Sequence, residues 1–338
     1  MKKLLLILLV AFQAKAQIDP AAYGYYREAL RYGYLLPSGS ARIQSLGGAG
    51  VAIGGDISSA LLNPAGLGFF ASSEASGSLA FALNSAKTRF LNKNTPANRP
   101  HLHLPNFGVV FAKDFEEDEE NPFSNGAIAI TAHRINDFQH NTIASGRNEF
   151  RAFDDLGRPY GSSIIDYFLQ QANGTPRSVF DNQLGAEFDP LAMAYAVYLI
   201  NPLSIASSES RYSSFVSPQP FNQTDSRLTK GSQYQYNISG GLNYLDKLYF
   251  GAGIGITSLF YENTQKYREQ VISPIELNSI ELNETFSQSG IGINANAGLI
   301  WRPIDALRLG LSYQTPTIYR ISDTYNATLK VDFNSYYF

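Results

Sequence analysis

Cysteine is absent from the 338 residues, tryptophan occurs once and methionine twice. Without cysteine there is no disulfide-stapled scaffold, and an oxidising compartment adds nothing to stability. Charge is scarce as well: 16% of residues are Asp, Glu, Lys or Arg, against roughly 25% in an average soluble domain. Basic excess is missing too, since 26 Lys and Arg stand against 29 Asp and Glu. That balance excludes nucleic acid as a partner. A hydrophobic share of 44% is too high for a disordered chain. No apolar run approaches the ~18–20 residues of a spanning helix. What the chain does have is 21 Tyr, 22 Phe and 28 Gly, with Ser, Asn and Gln in place of charge. Such a composition fits a β-rich chain that meets water on one side and something less polar on the other.

The start supplies an address. Lys2 and Lys3 precede an apolar run at residues 4–12, and Ala14-Lys15-Ala16 gives the small-x-small pattern of a cleavage site. Residues 1–16 are therefore expected to be a secretory signal peptide, with the mature chain starting at Gln17.

Beyond it, period-two alternation runs over unusually long spans. Residues 233–244 place Tyr234, Tyr236, Ile238, Leu242 and Tyr244 on one face, opposite Gln233, Gln235, Asn237, Ser239 and Asn243. Residues 248–260, 287–301, 307–313 and 325–333 repeat the pattern, with weaker copies at 75–83, 107–111 and 128–132. A soluble sandwich alternates as well, but its strands average ~5–6 residues. Here the spans are longer and the polar face carries Gly, Asn, Ser and Gln rather than charge. Strands of ~9–11 residues with an apolar outer band, aromatic ends and a polar lumen are the pattern of a membrane barrel. The expected fold class is thus all-β, a transmembrane antiparallel β-barrel.

The connections add detail. Asp246-Lys247 and residues 302–306 read as short turns, whereas 139–230 and 265–284 read as long loops. Short turns on the periplasmic side and long loops outside match an outer-membrane barrel. The acidic run at Asp114 and 116–120 then becomes a periplasmic turn, kept in water by its charge. Within the loop at 139–230, residues 163–172 and 189–200 read as short helices, the second started by Asp189 as N-cap and Pro190 at the first position. Leu191, Tyr195, Tyr198 and Leu199 give that helix an apolar face. It either packs on its own loop or is where a hydrophobic ligand first lands.

Between leader and first strand lies GSARIQSLGGAGVAIGGDISSALLNPAGLGFF at 39–70, with six glycines by Gly55. It is too flexible for a strand or long helix and too apolar for a linker. In Gly48-Ala49-Gly50 the third glycine of a dinucleotide fingerprint is misplaced, and no βαβ unit follows. Gly47, Gly48, Gly50, Asp56, Asn63, Pro64, Ala65 and Gly66 resemble the N-terminal hatch of the FadL/TodX-type outer-membrane transporters, in the form found in Bacteroidetes. The resemblance implies a 14-stranded barrel at 72–338 plugged by a hatch at 17–71, in the bacterial outer membrane. It implies passive transport of long-chain fatty acids, aromatic hydrocarbons or similar molecules. Capture in an apolar outer cleft would be followed by hatch movement and lateral release through a kink in the third strand. Asn136-Asp137 is the candidate for that kink. The backbone chemistry of the motif suits a movable plug, because Pro64 fixes φ, holds Asn63 extended, and Ala65-Gly66 permit close approach. An alternative role is that of a secretion or assembly partner, like the PorV-type barrels of type IX secretion.

Only about eight strands are countable against the family's 14, and a barrel of ~8 strands holds little beyond its own side chains. The expectation is a chain lacking its last strands, although the aromatic ending at Phe338 is also how many outer-membrane barrels finish. His101, His103, His133 and His140 are too few and scattered for a metal site and read as solvated loop residues. No nucleophile elbow, phosphate-binding loop or carboxylate dyad is present, so neither an enzyme nor a cofactor is expected. The expected partners are hydrophobic small molecules and outer-membrane lipid, with the protein a monomer.

Overall fold

The computed structural model describes residues 25–34, 36–115, 122–149, 163–183, 189–217 and 219–334. The leader, the acidic run at 116–120 and the aromatic ending at 335–338 lie outside the described residues. The chain divides into two compact units after Leu36. The first carries one described helix, α1 (Tyr25–Gly33); the sheet and its plug form the second.

Nine strands build one strongly curled antiparallel sheet, half a barrel: β1 (Glu74–Phe90), β2 (Lys93–Asp114), β3 (Phe123–Asp137), β4 (His140–Asn148), β7 (Phe221–Tyr244), β8 (Leu248–Val271), β9 (Leu277–Ile304), β10 (Leu307–Gln314) and β11 (Ile318–Phe333). The short pair β5 (Asn201–Pro202) and β6 (Tyr212–Ser213) stands apart in the long loop. β3 and β4 both pair with β7, end to end. β10 and β11 likewise share one side of β9. The nine strands thus fill seven places across the sheet; all eight alternating segments are among them, and β4 is the added one. Residues 307–313 and 325–333 read as two neighbours in sequence, yet a break at residues 315–317 sets them in line.

One expected loop is largely strand, and the other is shortened at both ends. β8 runs to Val271 and β9 starts at Leu277, leaving only 272–276 between them. In the span 139–230, β4 and residues 221–230 of β7 belong to the sheet ladders. In the first stretch the apolar residues Val271, Leu277, Ile280 and Leu282 turn toward the loop core across the break at 272–276, and in the second residues 222–227 are polar on both faces, so neither shows sustained alternation. The β1–β2 turn is also tight, with Leu91 and Asn92 at φ 43° and 62°, the twist a two-residue hairpin needs.

The sheet is inside-out relative to a soluble domain. On β7, Ile238 is 61% exposed while its neighbour Asn237 is 1% exposed. Leu79, Phe81, Leu102, Phe111, Ile128, Ile254, Ile291 and Leu311 stand on the same convex surface. Gln233, Gln235, Ser239, Thr257, Asn294 and Asn296 are buried on the concave one. Water would favour the reverse, because an apolar face this broad costs free energy wherever it stays wet.

Above the sheet, the long loop folds around its own core. Helices α4 (Ile164–Ala172), α5 (Arg177–Gln183) and α6 (Pro190–Ala196) pack Phe168, Phe180, Ala194 and Ile200 against Phe221, Val271, Leu277 and Ile280 at the strand ends. A capping box at Ser163 and Asp166 starts α4. Glu269 on β8 ties that start to the sheet, accepting from Ser163 Oγ (2.6 Å), Ile164 N (2.8 Å), Gln223 Nε2 (2.8 Å) and Tyr267 OH (2.6 Å).

Candidate functional site

The glycine-rich segment lies against the concave face as a plug. It holds two short helices, α2 (Ala41–Ser45) and α3 (Ser59–Leu62), and a 3-10 turn at Pro64–Phe69. Gly47 and Gly48 follow α2 at φ 66° and 87°, a left-handed turn that favours glycine. Gly50 leaves room for Leu62 and Ile43, since a Cβ there would meet them at 2.6 and 3.1 Å. Asp56 organises the middle by accepting from Ser40 Oγ (2.7 Å) and from Ser58 N (2.8 Å).

Asn63 is the pivot. Its backbone is extended at φ −159°, as expected before proline. Its Oδ1 caps the following turn at Ala65 N (3.1 Å), and its Nδ2 lies within reach of the carbonyls of Val51 (2.7 Å), Leu299 (3.3 Å) and Leu311 (3.3 Å). One side chain therefore ties the plug to itself and to two neighbouring strands.

Beneath the motif the wall is reduced to backbone. A Cβ on Gly241 of β7 would lie 2.5 Å from the Pro64 carbonyl oxygen, and one on Gly251 of β8 would lie 2.6 Å from Ala65 N. On β9, Gly298 faces Asn63 and Pro64 in the same manner. Three adjacent strands thus offer a glycine floor on which Asn63, Pro64, Ala65 and Gly66 rest. Around it, Ser239 Oγ and Asn296 Nδ2 each donate to Ala60 O at 3.0 Å, and Asn125 Nδ2 donates to Phe70 O at 2.8 Å. Phe69 stacks on Tyr249 with centroids 3.8 Å apart, while Arg308 covers the same ring and donates to Ile53 O. None of these wall residues stands out in the sequence. Their one signal is the run Gly251, Gly253, Gly255 on the concave parity of β8.

Above the plug the wall splits. β2 and β3 are ladder-paired from Asp114↔Asn125 to Asn106↔His133. Beyond that point, among the described residues, no ladder joins them, and β4 pairs with β7 alone. At the divergence the β3–β7 register slips between Arg134 and Asn136, and β3 ends at Asp137. Asn136 and Asp137, the kink candidates, sit at this bulge and break. β4 then crosses the inner face of the β1–β2 hairpin on side-chain bonds: Thr95 Oγ1 to Ser145 Oγ at 3.2 Å, Arg99 to Gln139 Oε1 at 3.0 Å, and Asn84 and Thr88 to the carbonyls of Gln139 and Ile143.

Three of the four histidines are misread as solvated loop residues. His101 and His103 stand on β2 with ring centroids 5.2 Å apart, and His133 is fully buried on β3 beside Thr131. The strands reach further than the apolar pattern, so residues that read as loop fall on the wall. His140 is exposed, at the start of β4.

Of the four residues expected on one apolar face, Leu191, Tyr195 and Leu199 pack into the core of their own loop, and Tyr198 stands apart, exposed. α6 ends at Ala196, and Tyr198 follows in the left-handed region at φ 58°, so the expected helix to Ile200 is shorter than read. Leu199 is buried in the loop core. Leu191 lines a cavity of about 590 Å³ with Phe168, Arg227 and Glu284, between loop and sheet. Tyr195 and Tyr198 line another of about 480 Å³ with Arg177, Leu203 and Ile205. There Tyr195 OH donates to Asp181 Oδ1 at 2.7 Å; burial, and then this bond, push its hydroxyl pKa up. Tyr198, Leu203 and Ile205 give this second cavity an exposed apolar rim.

No protein-family model and no curated protein matches the chain. Among solved structures, a monoaromatic hydrocarbon channel, CymD, is similar over 88% of this chain and 98% of its own at 11% identity, with a TM-score of 0.17. A superposition that loose carries no argument about this chain.

Proposed function

We propose that the protein is an outer-membrane channel that takes up hydrophobic molecules passively, admitting them at the helical cap and releasing them sideways through the split between β2 and β3. The observation that carries the proposal is the inside-out sheet. Its convex surface is apolar and exposed, as lipid contact requires, and its concave surface is amide-lined and plugged. The split supports lateral release because it interrupts the wall where Leu102 and Leu104 face outward beside a polar interior. The resemblance of the Asn63-Pro64-Ala65-Gly66 segment to the FadL/TodX hatch supports the same reading, with fatty acids or aromatic hydrocarbons as cargo.

The chain has no cysteine, so a single disulfide can be introduced cleanly. Thr95→Cys with Ser145→Cys replaces hydroxyls 3.2 Å apart on β2 and β4. Oxidation should pin the two strands together, abolish most uptake of labelled fatty acid, and be reversed by reductant. Uptake equal in the oxidised and reduced states rules out this exit. If the unmodified protein moves no hydrophobic compound at all, transport itself falls.

A further inference from the structure

At the split, charged side chains are held between two layers of strand. From the hairpin come Arg99, His101 and His103 of β2; from the bend come Arg134 and Asp137 of β3 and then Gln139. Arg134 is only 8% exposed. Its Nη2 pairs with Asp137 Oδ1 at 2.8 Å, and Asp137 Oδ2 lies 2.8 Å from His101 Nε2. Arg134 Nε and Nη1 are buried without a hydrogen-bond acceptor in the protein. Arg99 spends its Nε and Nη2 on the neutral Gln139 Oε1. Tyr234 OH, facing the same cluster, donates to Leu104 O at 3.0 Å.

This is an unusual place to leave donors idle. A buried N–H without an acceptor costs about 1–3 kcal/mol, and more when it is charged. Ionisable groups inside a membrane wall are expensive and mark function. Charge gives the sign of what is missing: two guanidinium groups face one carboxylate, and the histidines add no negative charge. The seam is one anion short of neutral.

We propose that this seam binds the carboxylate headgroup of an amphiphilic acid on its way out, with Arg134 as the principal donor and Arg99 beside it. The excess of one positive charge matches a monoanion. The acyl or aryl tail then lies along Leu102 and Leu104, which are 64% and 47% exposed on the convex face. Cargo is accordingly selected as carboxylic acids over neutral hydrocarbons. This deepens the proposed transport function and rests on it for the ligand's route, but the headgroup site is testable by equilibrium binding alone.

The protein in phosphatidylcholine nanodiscs is dialysed to equilibrium against labelled dodecanoate or dodecanol, which differ in the headgroup alone. Wild type should prefer dodecanoate. Arg134→Gln should weaken dodecanoate about tenfold, the size of one charge-assisted hydrogen bond, and leave dodecanol unchanged. Arg134→Lys should restore part of the preference. Unchanged dodecanoate binding in Arg134→Gln, or equal weakening of both ligands, overturns the proposal. Should Arg134→Gln fail to fold, Arg99→Gln reads the same difference at a less buried position. Loss of dodecanoate binding in phosphatidylglycerol nanodiscs assigns the seam to a membrane lipid headgroup and also overturns it. A carboxylate preference in a protein that transports neither compound leaves the site standing and removes the transport function.

Discussion

Gly241 and Pro64 are 177 residues apart in the chain, yet a single methyl group on Gly241 would sit 2.5 Å from the Pro64 carbonyl oxygen. The plug therefore rests on wall backbone, and the first prediction concerns that contact. Gly241→Ala or Gly251→Ala forces plug and wall apart and should destabilise by about 1–3 kcal/mol, the usual cost of overpacking. Gly240→Ala is the control: on the convex face the nearest atom is 3.8 Å away, and the change should stay within about 0.5 kcal/mol. Urea midpoints of the detergent-solubilised proteins decide; equal shifts at both faces remove the glycine floor as an explanation.

Asn63 makes a different demand. Its amide nitrogen points at three carbonyl oxygens. Asn63→Ala should cost about 1–3 kcal/mol through lost hydrogen bonds. Asn63→Asp should cost more, since a carboxylate would face those oxygens with nothing to donate. Susceptibility of residues 41–62 to protease, read on the folded protein, should rank wild type below Ala and Ala below Asp.

Glu269 fastens the cap. Its carboxylate accepts from four donors on α4, β7 and β8, so Glu269→Ala leaves several buried donors unmet. We expect the loop to loosen by about 2–3 kcal/mol while the sheet persists. Hydrogen exchange should show faster exchange at 164–172 with little change in β9 and β10. Unaltered exchange across α4 contradicts the assignment.

At the cap's outer cavity, Leu203 and Ile205 are 54% and 92% exposed. Replacing both by Asp should cost within about 0.5 kcal/mol, as for exposed positions generally. If ligands land there, the double variant should bind an apolar fluorescent dye more weakly than wild type does. Identical dye affinity moves the landing site to the cavity lined by Leu191.

How much of this was legible beforehand depended on what each residue faces. Strands at 233–260 and 287–301 announced themselves because one face is apolar and the other amide. The first third of β7 did not, since Asn222, Thr224 and Ser226 alternate with residues equally polar. Helix starts were readable from capping chemistry at Ser163 and Asp189. The end of α6 was not, because Tyr198 takes a left-handed turn that its side chain does not favour. The plug motif was visible through its glycines and proline. Its seat was not, because nothing local to Gly241, Gly251 or Gly298 distinguishes a glycine under a plug from one in an open lumen. The polar seam was hidden for a similar reason. Arg134 and His101 lie 33 residues apart in sequence and are joined through Asp137, at the bend where β3 parts from β2.

The long strands carry a consequence of height. β7 and β8 have 24 residues each, about 80 Å of strand at about 3.3 Å per residue. Tilted by about 45°, they stand about 55 Å tall, roughly twice the ~25 Å apolar band of an outer-membrane wall. In the proposed setting the helical cap is held on a stalk of sheet, clear of the bilayer by some 30 Å. Arrival and departure are then separate events at separate depths, and a molecule caught at the top must descend an amide-lined shaft before it meets lipid.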